Sequence, residues 1–243
     1  MREKILNALD CGPGFYILSL LRPDLDLITL LIKKNYQDIL RSAYPNQYEN
    51  ISKTPMENYH LLNSPLHGDI LGKSARLFSE KDVEIFKSTI FYSSLVTIFP
   101  ELKITNEDNE RPEEIYWRLV RPNIPTDIGP LHADEWFWDL EGNEIPSGTR
   151  RIKLWFSIIN EPAKNGFRLI NGSQKKKFSY QGELRNGKIK PVNCIDLELD
   201  KDLEIINTQP GDCIIFHDSL IHGGAAGGSA TRVSFEFTIL VNK

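Results

Sequence analysis

The sequence predicts a mainly β protein, an antiparallel double sheet or barrel carrying a layer of N-terminal helices. Three observations predict it. Apolar residues recur at helical spacing through the first hundred positions. From about residue 113 the pattern changes to short β-rich runs, separated by Asn-Gly and Pro-Gly turn signals, with no helical pattern between them. The length, 243 residues with 40% hydrophobic and 26% charged residues, suits one sizeable soluble domain. Strands without intervening helices argue against βαβ units.

In chain order, Gly14–Leu21 is the first apolar stretch. It is too short for a membrane span, which needs about twenty residues, and reads as part of a buried element. Leu25, Leu27, Ile28, Leu31, Ile32, Tyr36, Ile39 and Leu40 then mark one face of a helix, with Pro23 suited to its first turn. Residues 45–78 are rich in Asn, Ser and Pro and predict an ordered but irregular connection. Ser79 followed by Asp82 predicts the N-terminus of a second helix running to about Phe99, before Pro100. The expected strands are Ile115–Val120, Ile152–Ile159, Phe167–Ile170, Leu203–Thr208, Cys213–Phe216 and Arg232–Leu240. Turns are expected at Asn165-Gly166, Asn171-Gly172, Asn186-Gly187 and Pro210-Gly211. Residues 1–243 read as one domain, with 1–112 a mainly helical buttress and 113–243 the β core.

Charge excludes some functions. With 29 basic and 33 acidic residues the net charge is −4, so nothing favours nucleic acid or an anionic membrane as partner. The basic run Lys175–Lys177 reads as a solvated loop. Cys11, Cys194 and Cys213 are far apart and odd in number, which predicts no disulfide framework or zinc knuckle and fits a reducing cytoplasm.

Four residues carry the chemistry. His132-Ala133-Asp134 has H-x-D spacing; in an extended segment both side chains share a face and can reach one ion. The spacing alone is weak evidence, because His67-Gly68-Asp69 repeats it in the helical half, where a structural role is expected. Two histidines compete as the distal ligand. His217 ends an apolar strand and suits a core role, whereas His222 precedes the Gly-rich stretch Gly223–Gly228, read as a tight turn into the next strand. We therefore place the third ligand at His222. Two imidazoles and one carboxylate leave open positions on a metal and suit ferrous iron in oxygen-activating enzymes.

Strand alternation puts Arg232, Ser234 and Glu236 on one face. A buried guanidinium needs a partner: Glu236 or another core acid on one reading, a co-substrate carboxylate on the other. Alone the two readings are even; beside the H-x-D and His222 the second gains.

At these residues the chain resembles the Fe(II)/2-oxoglutarate-dependent oxygenases, most closely the phytanoyl-CoA dioxygenase-like group. The similarity runs from Ile115 to Leu240. It rests on His132-x-Asp134, the Trp-bearing strand RIKLWFSIIN, the segment Asn165–Ser173, Pro210-Gly211-Asp212, His222 and Arg232-x-Ser234. The resemblance implies a double-stranded β-helix (a cupin-like jelly roll) with helices buttressing one sheet. It implies that His132, Asp134 and His222 bind Fe(II), and that Arg232, helped by Ser234, grips the distal carboxylate of 2-oxoglutarate. Trp155 matches a tryptophan near the co-substrate in similar enzymes, and Arg118 would face the same cavity. The activity implied is hydroxylation of a small molecule with O2, yielding succinate and CO2. Where the family often has P-G-S-H, this chain has Asn171-Gly172-Ser173-Gln174, which bears on substrate contacts there and not on the metal site.

The competing readings are a cupin-like metal enzyme of another class, such as an isomerase, and a non-catalytic jelly-roll binding module. Arg232-x-Ser234 speaks against the first and the complete triad against the second. Trp136, Phe137 and Trp138 either line a pocket or place alternate members in the core. Residues 142–150 and 175–190 read as rim loops. The substrate expected is a small polar metabolite or natural-product intermediate; the oligomeric state is left open.

Overall fold

The computed structural model describes residues 1–62, 67–106, 112–185, 188–193 and 202–243. The Asn186-Gly187 turn signal and Cys194 lie outside the described residues. The helices are α1 (Arg2–Asp10), α2 (Arg22–Ala43), α3 (Tyr48–Ile51), α4 (His67–Ile70), α5 (Glu80–Lys87), α6 (Ile90–Ile98) and α7 (Glu135–Glu141). The strands are β1 (Phe15–Ser19), β2 (Lys103–Thr105), β3 (Ile115–Val120), β4 (Thr149–Ile159), β5 (Asn165–Ile170), β6 (Tyr180–Arg185), β7 (Lys188–Asn193), β8 (Leu203–Ile205), β9 (Asp212–His217), β10 (His222–Ala226) and β11 (Arg232–Asn242).

The larger sheet runs β1-β9-β4-β11-β2, with β3 also paired to β11, and the smaller runs β10-β5-β8. All these pairings are antiparallel. The two sheets form the expected jelly roll, with helices against one face of the larger. Alternation along β4 and β11 explains the arrangement. Leu154, Phe156, Ile158, Val233, Phe235 and Phe237 belong to the main apolar core together with Ile28, Ile32 and Tyr36 of α2. Phe86 of α5 lies 5.3 Å from Phe235 and Phe91 of α6 lies 5.2 Å from Phe156, both edge-on. The opposite face of the same strands carries Lys153, Trp155, Ser234 and Glu236 and lines a cavity, Ser234 excepted. The period-2 pattern thus separates a dry side from a polar one.

Several elements differ from expectation. The Gly14–Leu21 stretch forms β1, a half-buried strand paired with β9. With β2, it brings two strands of the region 1–112, expected to be mainly helical, into the larger sheet. The helix expected from Ser79 to Phe99 is two helices. Ser79 caps α5 as predicted, accepting from the Asp82 backbone N–H at 3.2 Å. Thr89 then caps α6, accepting from Tyr92 N–H at 3.1 Å, while the Asp24 carboxylate accepts from Ile90 and Phe91 N–H. Those partners satisfy the orphan donors of a new helix start, so the chain turns there.

A helix also interrupts the β region. α7 starts directly after Asp134 and stops at Gly142, in the left-handed conformation at φ 73°. Trp136 is buried in the core, Phe137 lines the cavity, and Trp138 is both buried and on the cavity wall, so both readings of the aromatic run apply. Asn165-Gly166 opens β5 instead of making a turn, and the strand expected to reach Thr208 ends at Ile205. The Gly-rich stretch after His222 is likewise a strand through Ala226, paired with Asn165–Leu169.

Candidate metal centre

His132 and His222 meet as an isolated antiparallel bridge. Each backbone N–H donates to the other's carbonyl, at 3.0 and 2.9 Å. Directly opposed residues project to the same face, and the two imidazole centroids are 4.6 Å apart. Each Nδ1 lies against a carbonyl two residues back: His132 on Pro130 at 2.8 Å and His222 on Leu220 at 2.9 Å. An Nδ1–H donated to a carbonyl leaves the Nε2 lone pair free for a metal.

Asp134 arrives differently from the expected extended segment. The backbone has already turned helical there, and Asp134 is the N-cap residue of α7. The turn swings its carboxylate toward both rings, with Oδ1 3.7 Å from His132 Nε2 and Oδ2 3.8 Å from His222 Nε2. One ligand atom from each residue lies within 4.8 Å of the others. A divalent ion about 2 Å from each donor would hold them about 3 Å apart, so a small inward movement closes the set. Asp134 Oδ2 is buried without a hydrogen-bond partner, which marks an atom built to receive a cation.

The protonation states agree. Burial pulls His222 down to about 4, against the opposing pull of Asp134, so its imidazole is neutral near neutral pH. Burial would raise Asp134, but Lys153 first, then His222 and His132, hold it well below the usual carboxylate range. His222 and Asp134 are therefore in their metal-binding forms, and two imidazoles with one carboxylate fit a ferrous ion.

The cavity beside them encloses about 330 Å³. Arg232 lines it and is 2% exposed. Its Nη1 donates to Ser234 Oγ at 3.1 Å, its Nε has no acceptor, and its Cζ lies 5.7 Å from the Trp155 ring centre. Burial, then Arg118, lowers its pKa to about 10. Glu236, the internal partner weighed for Arg232, is taken by Arg118, whose Nε donates to it. Burial pushes Glu236 up, but Arg118 and then Lys153 bring it below its ordinary value. Arg232 thus keeps an aimed guanidinium with no carboxylate of its own among the described residues. Arg118 does face the cavity, engaged with that glutamate.

The glycines after His222 act through space, not as a turn. A Cβ on Gly224 would lie 3.0 Å from Arg232 Nη2 and 3.0 Å from Ile128 Cγ2, so a strand without side chains there lets the guanidinium lie against it.

Lys153 escaped the sequence reading. Its ammonium is buried, 3.8 Å from Asp134 Oδ2. The signal was present in Lys153-x-Trp155, two inward-facing positions of one strand. His217 stays apart from the cluster; its Nδ1 accepts from Ser219 N–H at 3.0 Å. His67 of the repeated H-x-D contacts Tyr59 Oη at 3.2 Å and lies 3.4 Å from Asp127, which suits the structural role expected.

No curated protein matches the sequence significantly. Solved structures match in fold. EvdO2 from Micromonospora carbonacea var. aurantiaca, described as complexed with 2-oxoglutarate, superposes with a TM-score of 0.60 at 14% identity over 99% of this chain and 89% of its own. SnoN, described as an epimerase in complex with Fe3+, alpha-ketoglutarate and nogalamycin RO, gives 0.56 at 10% identity over 99% and 83%. The non-heme monooxygenase ThoJ gives 0.58 at 10% identity over 99% and 77%. The sequence profile of one family, phytanoyl-CoA dioxygenase (PhyH), matches residues 100–233, which is more than half of the chain. That span holds the two histidines, the aspartate and the buried arginine, and the chain belongs to the phytanoyl-CoA dioxygenase family of enzymes working with Fe(II), 2-oxoglutarate and O2.

Proposed function

We propose that this oxygenase hydroxylates a small polar organic molecule, with His132, Asp134 and His222 holding the iron and Arg232 with Ser234 holding the distal carboxylate of 2-oxoglutarate. The observation that carries the reading is the pairing of Glu236 with Arg118, which leaves the buried Arg232, in the same cavity as the metal cluster, without an acid among the described residues. A 2-oxoglutarate carboxylate supplies that acid through a two-point contact with the guanidinium. Bound iron would supply the chemistry that couples oxidative decarboxylation of 2-oxoglutarate by O2 to oxidation of a C–H bond.

The residues of the chain position and protect. Pro130 and Leu220 carbonyls fix the two imidazoles, and the start of α7 fixes the carboxylate. Trp155 and Phe167 wall the co-substrate end, keeping water from Arg232. Phe137, Lys190 and Pro191 stand on the wall formed by α7 and β7, and Lys190 Nζ lies 5.2 Å over the Phe137 ring. They are the residues placed to select a small-molecule substrate. Among the described residues no helix is long and apolar enough to cross a membrane. We place the enzyme in the cytoplasm on the absence of paired cysteines in the sequence.

The test is spectroscopic. Anaerobic protein with Fe(II) and 2-oxoglutarate should show a weak metal-to-ligand charge-transfer band in the visible. Iron binding without that band, in wild type, would sink the reading. Hydroxylation itself predicts one atom of labelled O2 in the product; a product that changes configuration without label would instead identify an epimerase.

A further inference from the structure

Arg76 lines the same cavity from the segment between α4 and α5. Its neighbour Leu77 bridges Tyr116 on β3. Arg76 Nε donates to the Leu71 carbonyl at 2.7 Å and Nη1 donates to the Trp117 carbonyl. These bonds tie the segment to the edge of the larger sheet, and a neutral amide could make them as well. They leave the charge unexplained. No carboxylate lies within ion-pair distance of Arg76 among the described residues, and its Nη2 has no acceptor. Burial, then Arg118, pulls its pKa to about 10, so holding a cation here is costly.

The other cations of the cavity have counterparts. Lys73 pairs with Glu114 at 2.8 Å, Arg118 with Glu236, and Lys153 stands beside Asp134. Arg232 is assigned to 2-oxoglutarate. A ferrous ion and a 2-oxoglutarate dianion together add no net charge to the cavity, so loading the site does not neutralise Arg76. We propose that the substrate of this oxygenase carries an oxyanion, a carboxylate or a phosphate group, and that Arg76 receives it through Nη2; this rests on the oxygenase reading above. A guanidinium is suited to the task because it presents planar paired donors to either group.

The experiment uses anaerobic full-length protein loaded with Fe(II) and 2-oxoglutarate, titrated by calorimetry with acetate and separately with inorganic phosphate, chloride serving as the ionic-strength control. One saturable site is expected for at least one oxyanion, and the preferred one names a carboxylate or a phosphate substrate. Arg76→Gln should weaken it about tenfold and Arg76→Lys by about threefold, the loss of one charge-assisted contact and of its two-point geometry. Affinity for 2-oxoglutarate, read from the charge-transfer band, should change less than about twofold, since Arg232 carries that contact. Three results overturn the proposal: no saturable oxyanion site in wild type, equal binding in the folded variants, or a loss of 2-oxoglutarate affinity matching that of Arg232→Ala. Should Arg76→Gln fail to fold, Arg76→Lys carries the comparison, and unchanged oxyanion affinity in it overturns the assignment. Absence of the charge-transfer band in wild type condemns the oxygenase reading instead, so the two failures are distinguishable.

Discussion

At Arg232 a charge that looked self-contained in the sequence turns out to be open. Glu236 is two strand positions beyond Ser234 and was an equal candidate partner until Arg118, from β3, claimed it. Removing the guanidinium in Arg232→Ala should therefore weaken 2-oxoglutarate binding by about 30- to 4000-fold, the range for truncating one side of a buried charge pair, while sparing iron. Titration of the charge-transfer band checks the first and anaerobic iron binding the second. Asp134→Ala should reverse the pattern, lowering iron affinity by at least about tenfold with the fold retained, because it deletes one of three donors. Gly224→Ala tests the space around the guanidinium. Its Cβ would arrive 3.0 Å from Nη2, so the prediction is weaker 2-oxoglutarate binding at nearly unchanged iron affinity. If Gly224→Ala binds both as wild type does, the close approach is not what orients Arg232. All four candidate ligands and anchors could be named from sequence, because each is a residue type chosen for its chemistry. Lys153 and Arg76 could not, because a lone Lys or Arg declares a function only when its burial and neighbours are known.

Among the elements, the turn between β10 and β11 decides where Arg232 enters its strand. The Glu161 carboxylate accepts from Ser229 and Ala230 backbone N–H, and those two bonds, in that order, bring it down to about 2. Because the folded value is depressed, this contribution to stability is present above the ordinary carboxylate value near 4.5 and is lost as pH falls toward 2. Glu161→Ala should thus lower the melting temperature at pH 7, with the gap to wild type shrinking between pH 4.5 and 2. A gap that persists unchanged at pH 2 would remove the carboxylate from the explanation. Turn signals in the sequence had placed the bend at Gly223–Gly228; pairing with β5 extends the strand and moves the bend past Gly227. A second element, the break between α5 and α6, was invisible for the same reason. Periodicity runs through Ser88 and Thr89, and only Asp24, from a helix more than sixty positions away, supplies the acceptors that stabilise a new start. Thr89→Ala should cost about 1–2 kcal/mol in chemical denaturation, as the loss of a buried cap does.

For the whole molecule, the jelly roll divides labour between the two faces of one sheet. Phe156 is fully buried among Phe91, Phe235 and Phe237 on the helix side, and Phe156→Ala should cost about 3–5 kcal/mol of stability. Iron affinity per folded molecule should hold, since that ring points away from the cavity; a parallel loss of iron in the folded fraction would show that the two faces are coupled. The sequence by itself determined the class of fold, six of the strands that build it (β3, β4, β5, β8, β9 and β11) and the candidate set His132, Asp134, His222 and Arg232, because alternation, turn chemistry and ligand type are local properties. Only the tertiary structure decided that His132 and His222 face each other across a backbone bridge, that Asp134 reaches them from a helix start, and which acid belongs to which arginine. Those are facts of proximity between segments remote along the chain, and proximity is set by the packing of the whole sheet and not by any stretch of sequence within it.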